Sequence, residues 1–276
     1  MAENKSTSAT APQAKESNGM SSIAMIVIPA ALVISFIIWK FVMGAGANFE
    51  GGSNENKPLN GNILGIVYKG GFIVPILITL LMTVITFTIE RILTIAKAKG
   101  SGSIHSFVRG IKSQLESGNL AAAKASCDKQ RGSVANVVKA ALNVYGEMES
   151  NTTLSRDQKV LAIQKEVEEA TSLELPMLEK NLTIIATIAS IATLMGLLGT
   201  VLGMIRSFAA MANAGAPDAT ALSTGISEAL INTALGIGTS AISIIMYNYF
   251  TSSIDDLNYE IEEVGFTITQ TFASKH

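Results

Sequence analysis

The sequence predicts an all-α, polytopic membrane protein in which long transmembrane helices extend into a small helical cytoplasmic domain. Three observations carry that expectation. The 276-residue chain is 48% hydrophobic and only 15% charged, the balance of a protein that is part embedded in a lipid bilayer and part soluble. Four apolar stretches, 23–43, 72–95, 181–211 and 222–250, reach the roughly 20 residues that a helix needs to cross hydrocarbon. Between the second and third of them, residues 96–180 repeat their apolar positions at steps of three and four, not two.

Taken in order, residues 1–22 are rich in Ser, Ala, Thr and Asn and lack any core-forming pattern, so they read as a disordered cytoplasmic tail. The stretch 23–43 reads as an extra N-terminal transmembrane helix. Ala45-Gly46-Ala47 has the small-residue spacing of a signal-peptidase site, but the leader is long and the apolar run nearly spans a membrane, so the helix is expected to be retained. Residues 44–71, with many Gly and Asn, are expected to be a flexible external linker.

In the cytoplasmic region Ile104, Phe107, Val108, Ile111 and Leu115 make one helical face, and Gly118 offers a stop. Leu120 to Cys127 and Val134 to Met148 continue the pattern. A further helix from about Arg156 carries Val160, Ile163, Val167, Ala170 and Leu173, with its charges on the other face. Pro176 is expected to kink it where it approaches the membrane. Lys and Arg are absent from the short loop 212–221, whereas Arg91, Lys97, Lys99 and Lys180 flank the region 96–180. The positive-inside rule therefore puts that region and the tail 251–276 in the cytoplasm and the loop outside.

Composition excludes several function classes. A net charge of −2 provides no field for nucleic acid. The single Cys127 permits no intrachain disulfide and reads as a buried thiol. His105 and His276 have no neighbouring ligands in sequence, so neither a metal site nor another cofactor is expected.

Chemistry, if any, belongs to the last two spans. In 181–211, Thr183, Thr187, Ser190, Thr193, Gly196, Thr200, Gly203 and Ser207 step by three or four, a broad stripe of small and hydroxyl residues. Gly196, Gly199, Gly203 and, in the last span, Gly236 read as helix-packing positions, because in lipid it is small residues that let helix backbones approach. For the hydroxyls, packing and a polar path are equally open. Glu228 sits about two turns into the last span, where a carboxylate is costly without water or a partner; an ion pair with Arg206 is the structural alternative. Lys40 and the Glu90–Arg91 pair read as snorkelling anchors. No span has an acidic residue near its midpoint, so the chain offers no carboxylate relay of its own across the membrane.

At Ile89-Glu90-Arg91, Gly118-Asn119-Leu120 with Ala122 and Cys127, the run from Gly196 to Met204, Glu228-Ala229-Leu230, Thr233-Ala234 and Gly236, the chain resembles the MotA/TolQ/ExbB proton-channel family, most closely its ExbB branch. The resemblance covers roughly residues 70–255. It implies a homopentamer in the bacterial inner membrane, with the last two spans lining a pore. That pore would enclose an ExbD-like single-span subunit bearing a membrane aspartate, and proton flow would energise a TonB-like protein. It also implies that the chain is not an enzyme. Thr233 then matches the family's pore threonine and Glu228 its nearby glutamate. The family's Thr-Ala-Pro appears here as Ile191-Ala192-Thr193, so Thr193 is displaced by two residues and Ser190 is its rival. Thr200 completes the expected pore-lining set. A TolQ-like or MotA-like stator subunit, or a non-conducting scaffold, is the alternative function.

Overall fold

The computed structural model describes residues 22–213 and 219–275. Residues 1–21 of the expected tail and 214–218 of the expected loop lie outside them. The described chain runs α1 (Ser22–Ile37), α2 (Ile63–Lys69), α3 (Ile73–Lys99), α4 (Ile104–Glu116), α5 (Leu120–Gln130), α6 (Gly132–Ser150), α7 (Arg156–Glu179), α8 (Leu182–Asn213) and α9 (Ala219–Lys275). Four helical segments among these residues are long and apolar enough to cross a membrane.

The first span ends differently from an ordinary helix, because α1 widens into a π-helical turn at Ile38–Met43. Trp39 there stacks on Tyr68 with ring centroids 4.9 Å apart and donates from its indole to the Tyr68 carbonyl at 3.3 Å. One buried hydroxyl pair, Ser35 with Thr79 at 2.6 Å, joins α1 to α3, while Met25, Ile26 and Val33 on other faces of α1 are exposed.

Residues 44–70 depart from the expected flexible linker. Two short 3-10 turns, Gly46–Asn48 and Glu50–Gly52, and α2 fold together. A bridge pairs Phe49 with Pro58, and Asn62 caps α2 by accepting from the Gly65 amide at 3.0 Å. Phe49 is buried against the edge of Tyr68, so aromatic burial supplies what the Gly- and Asn-rich composition hides.

The helical domain follows its sequence pattern. Ile104, Phe107, Val108, Ile111 and Leu115 are buried along α4, and Gly118, at φ 75°, turns the chain where a side chain would be strained. Ser155 and Gln158 make a capping box at the start of α7. Residues 251–275 are not a separate tail. They continue α9, which at 57 residues is about 85 Å long. Phe250, Ile254, Leu257, Ile261, Val264, Ile268 and Phe272 recur every three or four residues on its buried face. Each such side chain contributes roughly 1.5–3 kcal/mol when fully buried, so the domain is built around the extension of the last span. Lys275 and Arg156 tie the far end, donating to the carbonyls of Leu115 and Ala273.

Between the domain and the third span, Pro176, where a kink is expected from sequence, lies inside α7 and does not end it. α7 continues through Pro176 to Glu179, and the chain turns at Asn181, φ 69°. Pro at position 176 removes one helical hydrogen bond, but the left-handed residue is what ends the helix.

Candidate functional site

Side chains along α8 and α9 meet on a seam of small residues. A Cβ on Gly236 would lie 2.5 Å from the Ala192 carbonyl and 2.8 Å from the Gly196 Cα. One on Gly196 would meet the Asn232 carbonyl at 2.9 Å, one on Gly199 the Asn232 Cβ at 2.5 Å, and one on Gly203 the Ala229 Cβ at 2.7 Å. All four glycines therefore lie where a side chain would force the helices apart. The buried row of α8 is Leu182, Ile185, Ile188, Ala192, Gly196, Gly199 and Ser207, which coincides with the stripe of small and hydroxyl residues read from sequence only at Gly196 and Ser207.

Thr200 thus sits at the seam's edge, where it meets Thr233. Their hydroxyls are in direct hydrogen-bond contact, either atom being the donor. Thr200 Oγ1 also donates to the Gly196 carbonyl at 3.2 Å, and Thr233 Oγ1 reaches the same oxygen at 3.3 Å. A hydroxyl has one proton and two lone pairs, so the two threonines and one carbonyl hold two protons in more than one arrangement. Ser190 and Thr193 are not brought to this pair. They lie exposed on α8, in one row with exposed Thr183 and Thr187.

Towards the other end of that row lies a cavity of about 330 Å³ lined by Glu179, Thr183, Tyr247, Thr251 and Asp255, among others. The Thr251 hydroxyl is buried there without a protein partner. Between Glu228 and this cavity the pair of helices carries a polar track in two parts: Thr233 with Thr200, and, about two helical turns away, the exposed row of Thr193, Ser190, Thr187 and Thr183. No carboxylate lies on it between Glu228 and the domain end.

Glu228 is half-buried. None of the ion pairs among the described residues joins it to Arg206, so the structural alternative posed from sequence is not what the structure shows. Lys69 and Arg206 act on it electrostatically at longer range.

Two features of the site have roles that the sequence did not assign, the first at Asn232, which shares a helical stripe with Glu228 and Thr239. Asn232 is 2% exposed; its amide donates to the Gly70 carbonyl at 2.9 Å, while its Oδ1 has no partner. The signal was present as an amide within an apolar span. The second is Arg91, which is not a snorkelling anchor. It is 2% exposed, clasps the Glu90 carboxylate through two nitrogens, and donates from Nη1 to the carbonyls of Leu178 at 2.9 Å and Met177 at 3.3 Å. Asn181 adds a bond to Glu90 at 3.4 Å. This knot satisfies carbonyls at the end of α7 and fastens the joint between α7 and α8 to α3. It spans 86–91 residues of sequence, which is why adjacent Glu90 and Arg91 read locally as an anchor.

Elsewhere, burial first and Asp128 second push the Cys127 thiol up to about 11. Among the described residues no three His, Cys, Asp or Glu side chains group as metal ligands.

Fold and seam together define a class: a multi-pass, all-α membrane protein whose last two spans pack on glycines and carry a hydroxyl track. Residues 130–263 match the model of the MotA/TolQ/ExbB proton channel family, and this segment belongs to that family. Among relatives, the chain is 40% identical over 88 residues to the putative biopolymer transport protein ExbB-like 3 of Synechocystis, covering 31% of this chain and 42% of that protein. It is 43% identical over 81 residues to the biopolymer transport protein ExbB of Helicobacter pylori, 29% of this chain and 56% of the relative. It is 29% identical over 119 residues to the Tol-Pal system protein TolQ of Pseudomonas aeruginosa, 43% of this chain and 52% of the relative. The matches span about half the length of these three relatives.

Proposed function

We propose that the chain is an ExbB-like subunit of an inner-membrane proton channel and motor, not an enzyme, coupling the proton motive force to a TonB-like protein. The observation that supports this best is the two-part polar track, an exposed row of hydroxyls along α8 and the Thr200–Thr233 pair, with Glu228 beyond that pair. Exposed threonines and serines gain nothing from lipid tails, whereas they can order water. The track lacks a carboxylate of its own, so a partner has to supply one. An ExbD-like single-span subunit with a membrane aspartate fits that need, enclosed by a homopentamer of this chain. On this reading the helical domain is cytoplasmic, the 44–70 unit is external, Thr233 and Glu228 wet the path, and Ser190, Thr193 and Thr200 extend it.

Two measurements test the reading. Co-purification with neighbouring single-span proteins, followed by intact-complex mass, is expected to give five copies of this chain around the partner. Thr233→Val and Glu228→Ala complexes of normal mass are expected to lose proton-dependent uptake; full uptake in both would overturn the assignment. A second reading, a TolQ-like role in the cell envelope, is favoured by the longest of the three alignments, to TolQ over 119 residues. It shares the channel and differs in the protein energised.

A further inference from the structure

We propose that the turn joining α2 to α3 is a cationic collar on the outer mouth of the α8–α9 pair, where Lys69 and Arg206 slow the approach of cations to Glu228. This rests on the channel reading and its orientation, and concerns a part of the chain, residues 44–71, outside the segment that the family model matches.

Three ties seat the turn on the last two spans. The Gly70 carbonyl accepts the buried Asn232 amide of α9 at 2.9 Å. Gly71, at φ 80°, packs against α8, since a Cβ there would lie 3.0 Å from Arg206 Nη1. Gly70 is equally confined: a Cβ would meet Val74 at 2.7 Å and Asn232 Oδ1 at 3.0 Å. Both glycines are therefore required by close approach or by the left-handed backbone.

Lys69 precedes them and is held rather than free. Its ammonium donates to the Glu55 carbonyl at 3.1 Å and sits 5.8 Å from the centroid of the buried Phe49 ring. A lysine serving only as an anchor would reach toward water and headgroups, whereas this one is turned back onto its own folded unit. The folding of 44–70 thus fixes a charge at the mouth. Lys69 and Arg206 are the two charged groups that act on Glu228, so two positive charges face this one carboxylate, whereas Glu50, Glu55 and Lys57 of the same unit are not among the groups that act on it. Fixed positive charge at a pore mouth lowers the local concentration of cations, protons included.

The test uses the complete complex in liposomes, with inward proton flux from the outer face read at low salt and at about 1 M salt. One charge acting through water across several ångströms corresponds to roughly threefold in rate. Lys69→Gln is expected to raise flux about threefold at low salt, a gain that vanishes near 1 M salt, where the Debye length is about 3 Å. Lys69→Arg is expected to match the unsubstituted complex, and Arg206→Gln, which leaves the 44–70 unit untouched, to repeat the salt-dependent gain. Unchanged low-salt flux in Lys69→Gln and Arg206→Gln would overturn the collar, as would a change that persists at high salt. No flux from the unsubstituted complex at any salt would instead overturn the channel reading on which the collar depends.

Discussion

Arg91 shows how a single residue ties the membrane part to the domain. Its guanidinium is buried, pairs with the partly exposed Glu90 carboxylate and serves two carbonyls at the end of α7. Removing it leaves the Glu90 carboxylate, which is partly exposed, without its partner and the two carbonyls without their donor, and each such unsatisfied group costs about 1–3 kcal/mol. Arg91→Ala is therefore expected to lower the thermal unfolding midpoint in detergent sharply, and Arg91→Lys to recover only part of it, since a point ammonium cannot reproduce the fork. Cys127, buried and with its thiol pushed up to about 11, is expected to resist maleimide at neutral pH until the chain unfolds. Glu260 lines a groove with Lys99, His105 and Asp256, and burial raises its carboxyl above the usual 4.5 despite His105 and Lys99. A carboxyl raised by folding favours the fold while protonated, and that contribution is lost as pH rises through the folded value. Glu260→Gln is accordingly expected to stabilise the domain at pH 7, by less than about 1 kcal/mol for so accessible a group. The gain should disappear below about pH 4.5 in paired melting curves.

Among the elements, the α8–α9 seam is the one whose geometry is least tolerant. Gly236→Val would place methyl groups against the Ala192 carbonyl and Gly196, and overpacking of this kind costs about 1–3 kcal/mol. Its expected mark is a lowered midpoint together with slower cross-linking of cysteines introduced at facing positions of the two helices, whereas Gly238→Val, where a Cβ meets nothing within 4 Å, should leave both unchanged. The helices themselves were legible from sequence because spans and amphipathic faces are periodic: α4 buries the five residues its spacing picks out. What periodicity could not reveal was where one face turns into another. Thr193 and Ala192 differ by one position, and only the crossing of α9 decides that Ala192 is buried and Thr193 exposed. The 44–70 unit was illegible for a different reason. Its order comes from Trp39, Phe49 and Tyr68 meeting across 29 residues, and composition alone reads Gly and Asn as looseness.

At the scale of the whole molecule, α9 joins the track to the domain as one continuous helix, while the Arg91 knot fixes the joint of α7 and α8. A rearrangement of the last two spans has therefore a rigid route into the domain, through an element that is the domain's own core. The distribution of chemistry along that route is uneven: hydroxyls in the membrane, carboxylates only at its ends. That unevenness was visible in the sequence as the missing midspan acid, and it makes the central claim one about two kinds of chain. Proton flux into liposomes, measured for this chain alone and with the proposed single-span partner, tests it most directly. The account predicts flux only with the partner present, abolished by Thr233→Val in complexes of unchanged mass. Undiminished flux through the Thr233→Val complex, or equal flux with and without the partner, would contradict it.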